Sequence, residues 1–273
     1  MAALRESFGL DKPLHVQFLI YLTKLLHGDF GYSFVSQKPV LELIGSCALP
    51  TVILMLPSSV IAIFAGIFLG VISAIKVRTK VDYLVILMSM FGYSIPVFWF
   101  ALILILLFSL TFPIFPAMGM STLRYTATGI YQIGDLLHHL VLPSIVLGTW
   151  SVAMYTRFLR ASMLEVLSQD YIITARAKGL DNRTIYYKHA LKNALLPTLT
   201  LIGLQLGWLF EGAVMTETVF AWPGMGRLAW TALVSRDYPL IMGIFIIISI
   251  IVIIATLLTD VMYAIIDPRI RYS

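Results

Sequence analysis

The sequence predicts an all-α integral membrane protein, and three observations carry that prediction. The composition is far from that of a soluble domain: 59% of the 273 residues are hydrophobic, 12% are charged and mean hydropathy is +0.92, where soluble domains carry about 25% charged residues. Apolar runs long enough to cross a bilayer, roughly 20 residues each, recur along the chain. Lys and Arg collect in alternate links between those runs, the asymmetry that sets membrane orientation. That placement explains the formal net charge of +5, so nucleic acid is not expected as a partner. Cys47 is the only cysteine, which excludes an intrachain disulfide and a thiolate-rich metal site.

Residues 1–47 form a nearly neutral segment with four basic and four acidic side chains and no membrane-length apolar run. Within it, Leu14 to Leu26 is too short to span and reads as an amphipathic helix lying on a membrane or protein surface. The transmembrane domain is expected over 48–273, in five spans. The first runs from Ala48 to Ile75 and ends at Lys76, Arg78 and Lys80. The second, Tyr83 to Phe112, would be about 45 Å long as one straight helix, so it is expected to tilt or to kink at Gly92 or Pro96. The third begins near Leu140, with Pro143 in its first turn, and leaves the apolar region at Arg157. The fourth covers about Leu195 to Phe220 and the fifth about Leu240 to Ile266.

The link after the first span holds Lys76, Arg78 and Lys80, and the link after the third holds Arg157, Arg160, Arg176, Lys178, Arg183, Lys188 and Lys192. The opposite links hold only Arg124, Arg227 and Arg236. The richer side is cytoplasmic. Five spans then place the N-terminal segment outside and the tail, with Arg269 and Arg271, inside. No signal peptide in this sequence accounts for export of residues 1–47, so a further transmembrane helix is expected ahead of them.

The stretch Glu165 to Pro197 is basic and helical in pattern, yet too polar to enter lipid. Gly179 is a natural stop for a helix over Tyr171 to Lys178, Asp181 or Asn182 can cap a second short helix, and Pro197 is expected to start the next span. The result is an elbow of two short helices on the cytoplasmic face.

With these residues the sequence resembles the inner-membrane permeases of type I ABC importers, in the oligopeptide, dipeptide and nickel subgroup, B-type subunit. The cytoplasmic "EAA" loop of that family takes a subgroup form like QDYIITARAKGL followed by His189, Asn193 and Pro197 at H-x-x-x-N-x-x-x-P spacing. Of the general pattern Ala175 and Gly179 remain, while Ile173 and Thr174 replace its Glu and first Ala. Further similarity covers LRESFGLDKPLHVQF, GDFGYSF with Pro39, RFLRASMLEVLSQDY, ETVFAWPGMGRL, RDYP and DPRIR. The resemblance implies the type I importer permease fold, with the family's first helix absent here. It also implies that Asp181 to Asn193 sits in a groove of an ATP-binding subunit, whose ATP-driven closure rocks paired permeases between two packings.

The coupling residues it marks are Ala175, Arg176, Ala177, Gly179, Leu180, Asp181, Tyr186, His189, Asn193 and Pro197. A lever must be stiff, and Ala175, Ala177, Ala190 and Ala194 are expected at close-packed positions. The partners implied are a second homologous permease, two ATPase subunits, an external solute-binding protein and the lipid membrane. Peptides are the expected cargo, with glutathione and chelated nickel as alternatives carried by similar permeases.

No Walker A sequence occurs, so ATP and Mg are expected on separate subunits, with no cofactor in this chain. His138 and His139 are adjacent, cannot face one site on a helix, and are expected at a membrane interface rather than on a metal. H-E-x-x-H and G-x-S-x-G are absent, which argues against a membrane enzyme. A stand-alone secondary transporter would show internal repeats and midplane charges, and neither is evident. Glu211, an ionisable residue in an apolar span, is expected to face the solute path or a subunit interface. Tyr93, Pro96 and Phe98 are candidates for the same path, with plain packing as the alternative. Glu217, Trp222, Pro223, Gly224 and Gly226 form a candidate external gate loop, in which Glu217 is expected to cap the WPGMG turn.

Overall fold

The computed structural model describes residues 12–122, 129–205 and 209–266, apart from the side chains of 200, 202–205, 209–212, 258–260 and 262–266. Among the described residues every regular element is helical, and the one extended pairing is an isolated bridge between Tyr32 and Pro39. Three helices are long and apolar enough to cross a membrane, and a sharply bent pair makes a fourth if it is taken as one span.

Helix α1 (Leu14–Leu26) follows Pro13 and has no buried residue. Leu14, Phe18, Leu22 and Leu26 recur every fourth position and are all exposed, the one-sided apolar stripe of an amphipathic helix. Helix α2 (Val40–Ile75) starts directly after Pro39 and runs through Pro50 and Pro57. It begins eight residues before the expected start of the first span, because Pro39 fixes the entry and Glu42 places a carboxylate in the first turn.

The expected second span is divided. Helix α3 (Lys80–Ser94) is capped by the Thr79 side chain, which accepts from the Asp82 amide. Helix α4 (Val97–Ile105) continues as a π-helical stretch, Leu106–Thr111. The two are bent by 103°, much more than a kink. The break falls at Ile95 and Pro96, both extended, because a residue before proline is driven out of the helical region. Gly92 stays helical.

Helix α5 (Ile130–Leu167) forms the spine of the bundle, with Pro143 buried in its interior. It packs most extensively along α2. Gly66 and Gly70, spaced as GxxxG, let the two backbones approach: a Cβ on Gly66 would lie 2.5 Å from that of Tyr155, and one on Gly70 3.0 Å from the Thr156 carbonyl. Such small-residue spacing drives close helix contact in membranes.

After α5 come α6 (Asp170–Ala177), a single turn Asn182–Thr184, a π-helical stretch Ile185–Ala190, and α7 (Leu191–Gln205). Helix α8 (Leu209–Val219) follows, so α7 and α8 occupy the place of the expected fourth span on either side of residues outside the description. Helices α9 (Met225–Val234) and α10 (Tyr238–Ile266) are the last among the described residues. Gly207, Arg124 and the DPRIR stretch lie outside the described residues.

Candidate functional site

The elbow is built from local signals. Helix α6 stops because Gly179 adopts φ +77°, a left-handed conformation that costs a residue with a Cβ about 1–2 kcal/mol. Asp181 then accepts from the Thr184 amide at 3.0 Å and caps the next turn. Hydrogen bonding from the Thr184 side chain, and then from its amide, holds the Asp181 carboxyl below its ordinary range.

Its base is packed and its tip is free. Ile172, Ala175, Ile185, Ala190 and Ala194 are buried in one cluster with Val71 and Ala74 of α2 and Leu159 and Met163 of α5. Arg176, Ala177, Lys178, Gly179, Leu180, Asp181 and Tyr187 are exposed, and Tyr186 and His189 are half-buried. Two hydrogen bonds tie the elbow further: Ser162 donates to the Ala194 carbonyl at 3.0 Å, and Asn193 donates to the Tyr171 hydroxyl at 2.7 Å.

Two expectations need correction. Ala177 is not at a close-packed position, since residues two apart lie on nearly opposite sides of a helix and Ala175 takes the inner one. Pro197 does not start a span. It sits inside α7, which is continuous with the π-helical stretch before it. A proline there deprives the Asn193 carbonyl of its helical partner, and exposed Asn193 leaves that carbonyl within reach of water.

Beside the elbow lies a buried ion pair. Arg160 of α5 donates through Nε and Nη2 to the two carboxylate oxygens of Asp82, at 2.8 and 2.9 Å, and Ser73 and the Arg78 amide donate to the same carboxylate. Three helices are thus bound together one turn from the elbow.

The opposite end carries the candidate gate loop. Glu217, fully buried, accepts from Thr51 of α2 at 2.7 Å and from the Arg227 amide in the first turn of α9 at 3.0 Å. The Thr51 hydroxyl accepts in turn from the Met225 amide, and Trp222 donates through its indole to the Pro50 carbonyl at 2.9 Å. A Cβ on Gly224 would overlap the Glu217 carboxylate, and one on Gly226 would press on the Val214 backbone. Pro223 is exposed. Nearby, Asp237 accepts from the Ser33 hydroxyl and from the amides of Phe34 and Val35, which ties the RDYP stretch to GDFGYSF. Burial pushes the Asp237 carboxyl up, yet these donors outweigh it and hold it below its ordinary value.

Tyr93 stacks on Trp150 with centroids 5.5 Å apart, and the Arg157 guanidinium lies 5.7 Å from the Tyr93 centroid. Phe98 is exposed just past the break at Pro96. The Glu211 side chain lies outside the described residues. His138 and His139 turn to different partners, the Ile114 carbonyl and the Asp135 carbonyl respectively.

Residues 66–272 match the model of the binding-protein-dependent transport system inner membrane component. The chain belongs to that family. The oligopeptide transport system permease protein AppB of Bacillus subtilis is 43% identical over 98% of this chain and 84% of its own length. The dipeptide transport system permease protein DppB of Escherichia coli is 40% identical over 100% of this chain and 85% of its own. In fold, the chain is similar to an inward-facing structure of the MetNI methionine ABC transporter, with TM-score 0.67 at 16% identity over 83% of this chain and 97% of that one. An amino acid ABC transporter structure gives TM-score 0.55 at 17% identity, over 84% and 95%. This member of the family is therefore a multi-pass membrane protein with an ABC importer permease fold.

Sequence reasoning missed three of the features that organise both ends. Gly66 and Gly70 carried a readable GxxxG signal. Asp82 with Arg160, and Thr51 with Glu217, carried none, since each pair is joined only through the fold.

Proposed function

We propose that this chain is one permease subunit of an ATP-driven importer that passes short peptides inward. A second homologous permease completes the path, two ATP-binding subunits hold ATP and Mg, and an external binding protein delivers the solute. The observation that carries this reading is the elbow: its base is locked into the bundle by Ile172, Ala175, Ile185, Ala190 and Ala194, while Arg176 to Asp181 stand free. A knob fixed at its root and exposed at its tip transmits a push to the helices behind it. The peptide cargo is supported by the relatives at 43% and 40% identity, an oligopeptide and a dipeptide transport system permease.

In this reading the basic end is cytoplasmic, residues 1–47 lie outside and the C-terminus inside. Tyr186, His189 and Asn193 sit on the contact side of the elbow, Glu217, Trp222, Gly224 and Gly226 hold the outer gate loop, and Glu211, Tyr93, Pro96 and Phe98 face the path or the second permease.

The test is copurification and coupling. ATPase subunits expressed with this chain should come down with it, and Gly179→Asp should abolish ATP hydrolysis stimulated by the binding protein in proteoliposomes or abolish assembly. Full stimulation in that variant, or an elbow that crosslinks to no ATPase subunit in the assembled complex, would sink the proposal.

A further inference from the structure

Two arginines of α5 one turn apart have opposite fates. Arg160 is bound to Asp82, whereas Arg157 is exposed and forms no ion pair among the described residues. Its direction is informative. Helices α3 and α5 run antiparallel: Asp82 lies level with Arg160, and Gly92 level with Thr149, where a Cβ would be 3.2 Å from Thr149 Cγ2. Side chains lean toward the N-terminus of their own helix, so Arg157 leans toward Trp150 while Tyr93 leans back toward it, and the two meet at 5.7 Å.

The guanidinium is therefore aimed away from the basic end, along α5 toward the Tyr93–Trp150 pair. A lipid-facing arginine snorkels the other way, toward the nearer polar surface. Arg157 lies inside α5, which runs on to Leu167, and not in the link that the sequence predicts for it; a cation within a spanning helix is retained where it faces a water-filled cavity or a partner. The adjoining break at Ile95 and Pro96 fits such a place, because non-helical backbone within a span is tolerated only where protein covers it or water reaches it.

We infer that Arg157, backed by Tyr93 and Trp150, is a docking point in the solute path for the terminal carboxylate of a peptide. This rests on the peptide reading proposed above. One face of the guanidinium is occupied by the Tyr93 ring, a favourable cation–π arrangement, and its edge stays free to offer two parallel N–H donors. A carboxylate matches that fork. The terminal carboxylate is the one anionic group that every peptide carries whatever its side chains, and the Tyr93–Trp150 stack offers an apolar surface that discriminates little among them.

The test is equilibrium binding of radiolabelled leucyl-leucine and of its C-terminal amide to the complete membrane complex in nanodiscs, without the binding protein. The wild-type complex should bind the free acid about tenfold more tightly than the amide, the worth of one charge-assisted contact. Arg157→Gln should erase that preference by weakening the free acid alone, and Arg157→Lys should retain most of it. A wild-type complex without preference, an Arg157→Gln complex that keeps it, or one that loses both probes alike overturns the inference. So does loss of the second permease on copurification of Arg157→Gln, which would assign the cation to a subunit contact. Uptake separates the two readings. If wild-type proteoliposomes with binding protein accumulate no dipeptide, the peptide reading falls and takes this one with it; accumulation without the binding preference overturns the role of Arg157 alone.

Discussion

The two ends of the bundle each bury a carboxylate, and they satisfy it by different means. Asp82, 1% exposed, meets a guanidinium, a hydroxyl and a backbone amide. Glu217, 0% exposed, meets only neutral donors from Thr51 and the first turn of α9. The difference lies in what each arrangement resists. A buried ion pair holds its helices strongly but fails badly when one partner goes, because the remaining charge is stranded. A carboxylate cradled by neutral donors strands no opposite charge when one donor is removed, and the space beside it is tight, since a Cβ on Gly224 would overlap it. The end beside the elbow has the stiffer joint, which suits a region proposed to receive force.

The largest effect should come from Arg160→Met, which strands Asp82 and is expected to cost about 3–5 kcal/mol, read as a fall in thermal stability of the purified chain. Adding Asp82→Asn should recover most of the loss by removing the charge. If the single variant is no worse than a change at the Glu217 end, the contrast between the two joints is broken.

Gly224→Ala should be milder, about 1–3 kcal/mol by overpacking against the Glu217 carboxylate, seen in the same melt. Smaller again is Gly179→Ala, about 1 kcal/mol for a Cβ at positive φ, and it should appear as faster hydrogen exchange confined to residues 176–184. The smallest effect is a pH dependence. Because the Asp237 carboxyl is held below its ordinary value, its stabilising contribution is complete above the unfolded value, near 3.9, and is lost as pH falls through the lower folded value. Proteolysis within residues 28–39 should therefore rise at acid pH in the native chain, and Asp237→Asn should remove that dependence.

Where the chain speaks locally, the sequence was readable. Gly179 and Asp181 mark the corner of the elbow because a left-handed stop and a side-chain cap are properties of a few consecutive residues. Pro96 marked the bend but not its size, since proline disfavours the helix before it without saying how far the next helix turns. Ala177 shows that small size does not by itself mean packing, because helical phase decides which of two nearby alanines faces inward. Pro197 shows that proline is not only a start signal, since an interior site beside an exposed residue four positions back accommodates it.

By itself the sequence determined that this is a helical membrane protein, where its polar elbow lies and to which family it belongs, because apolar length, charge placement and contiguous motifs are written along the chain. Only the tertiary structure decided which polar groups answer one another. Asp82 and Arg160 are 78 positions apart, Thr51 and Glu217 166, and Ser33 and Asp237 204. The reason is physical: a buried donor and acceptor must find each other wherever water is excluded, and that location is set by how the helices pack.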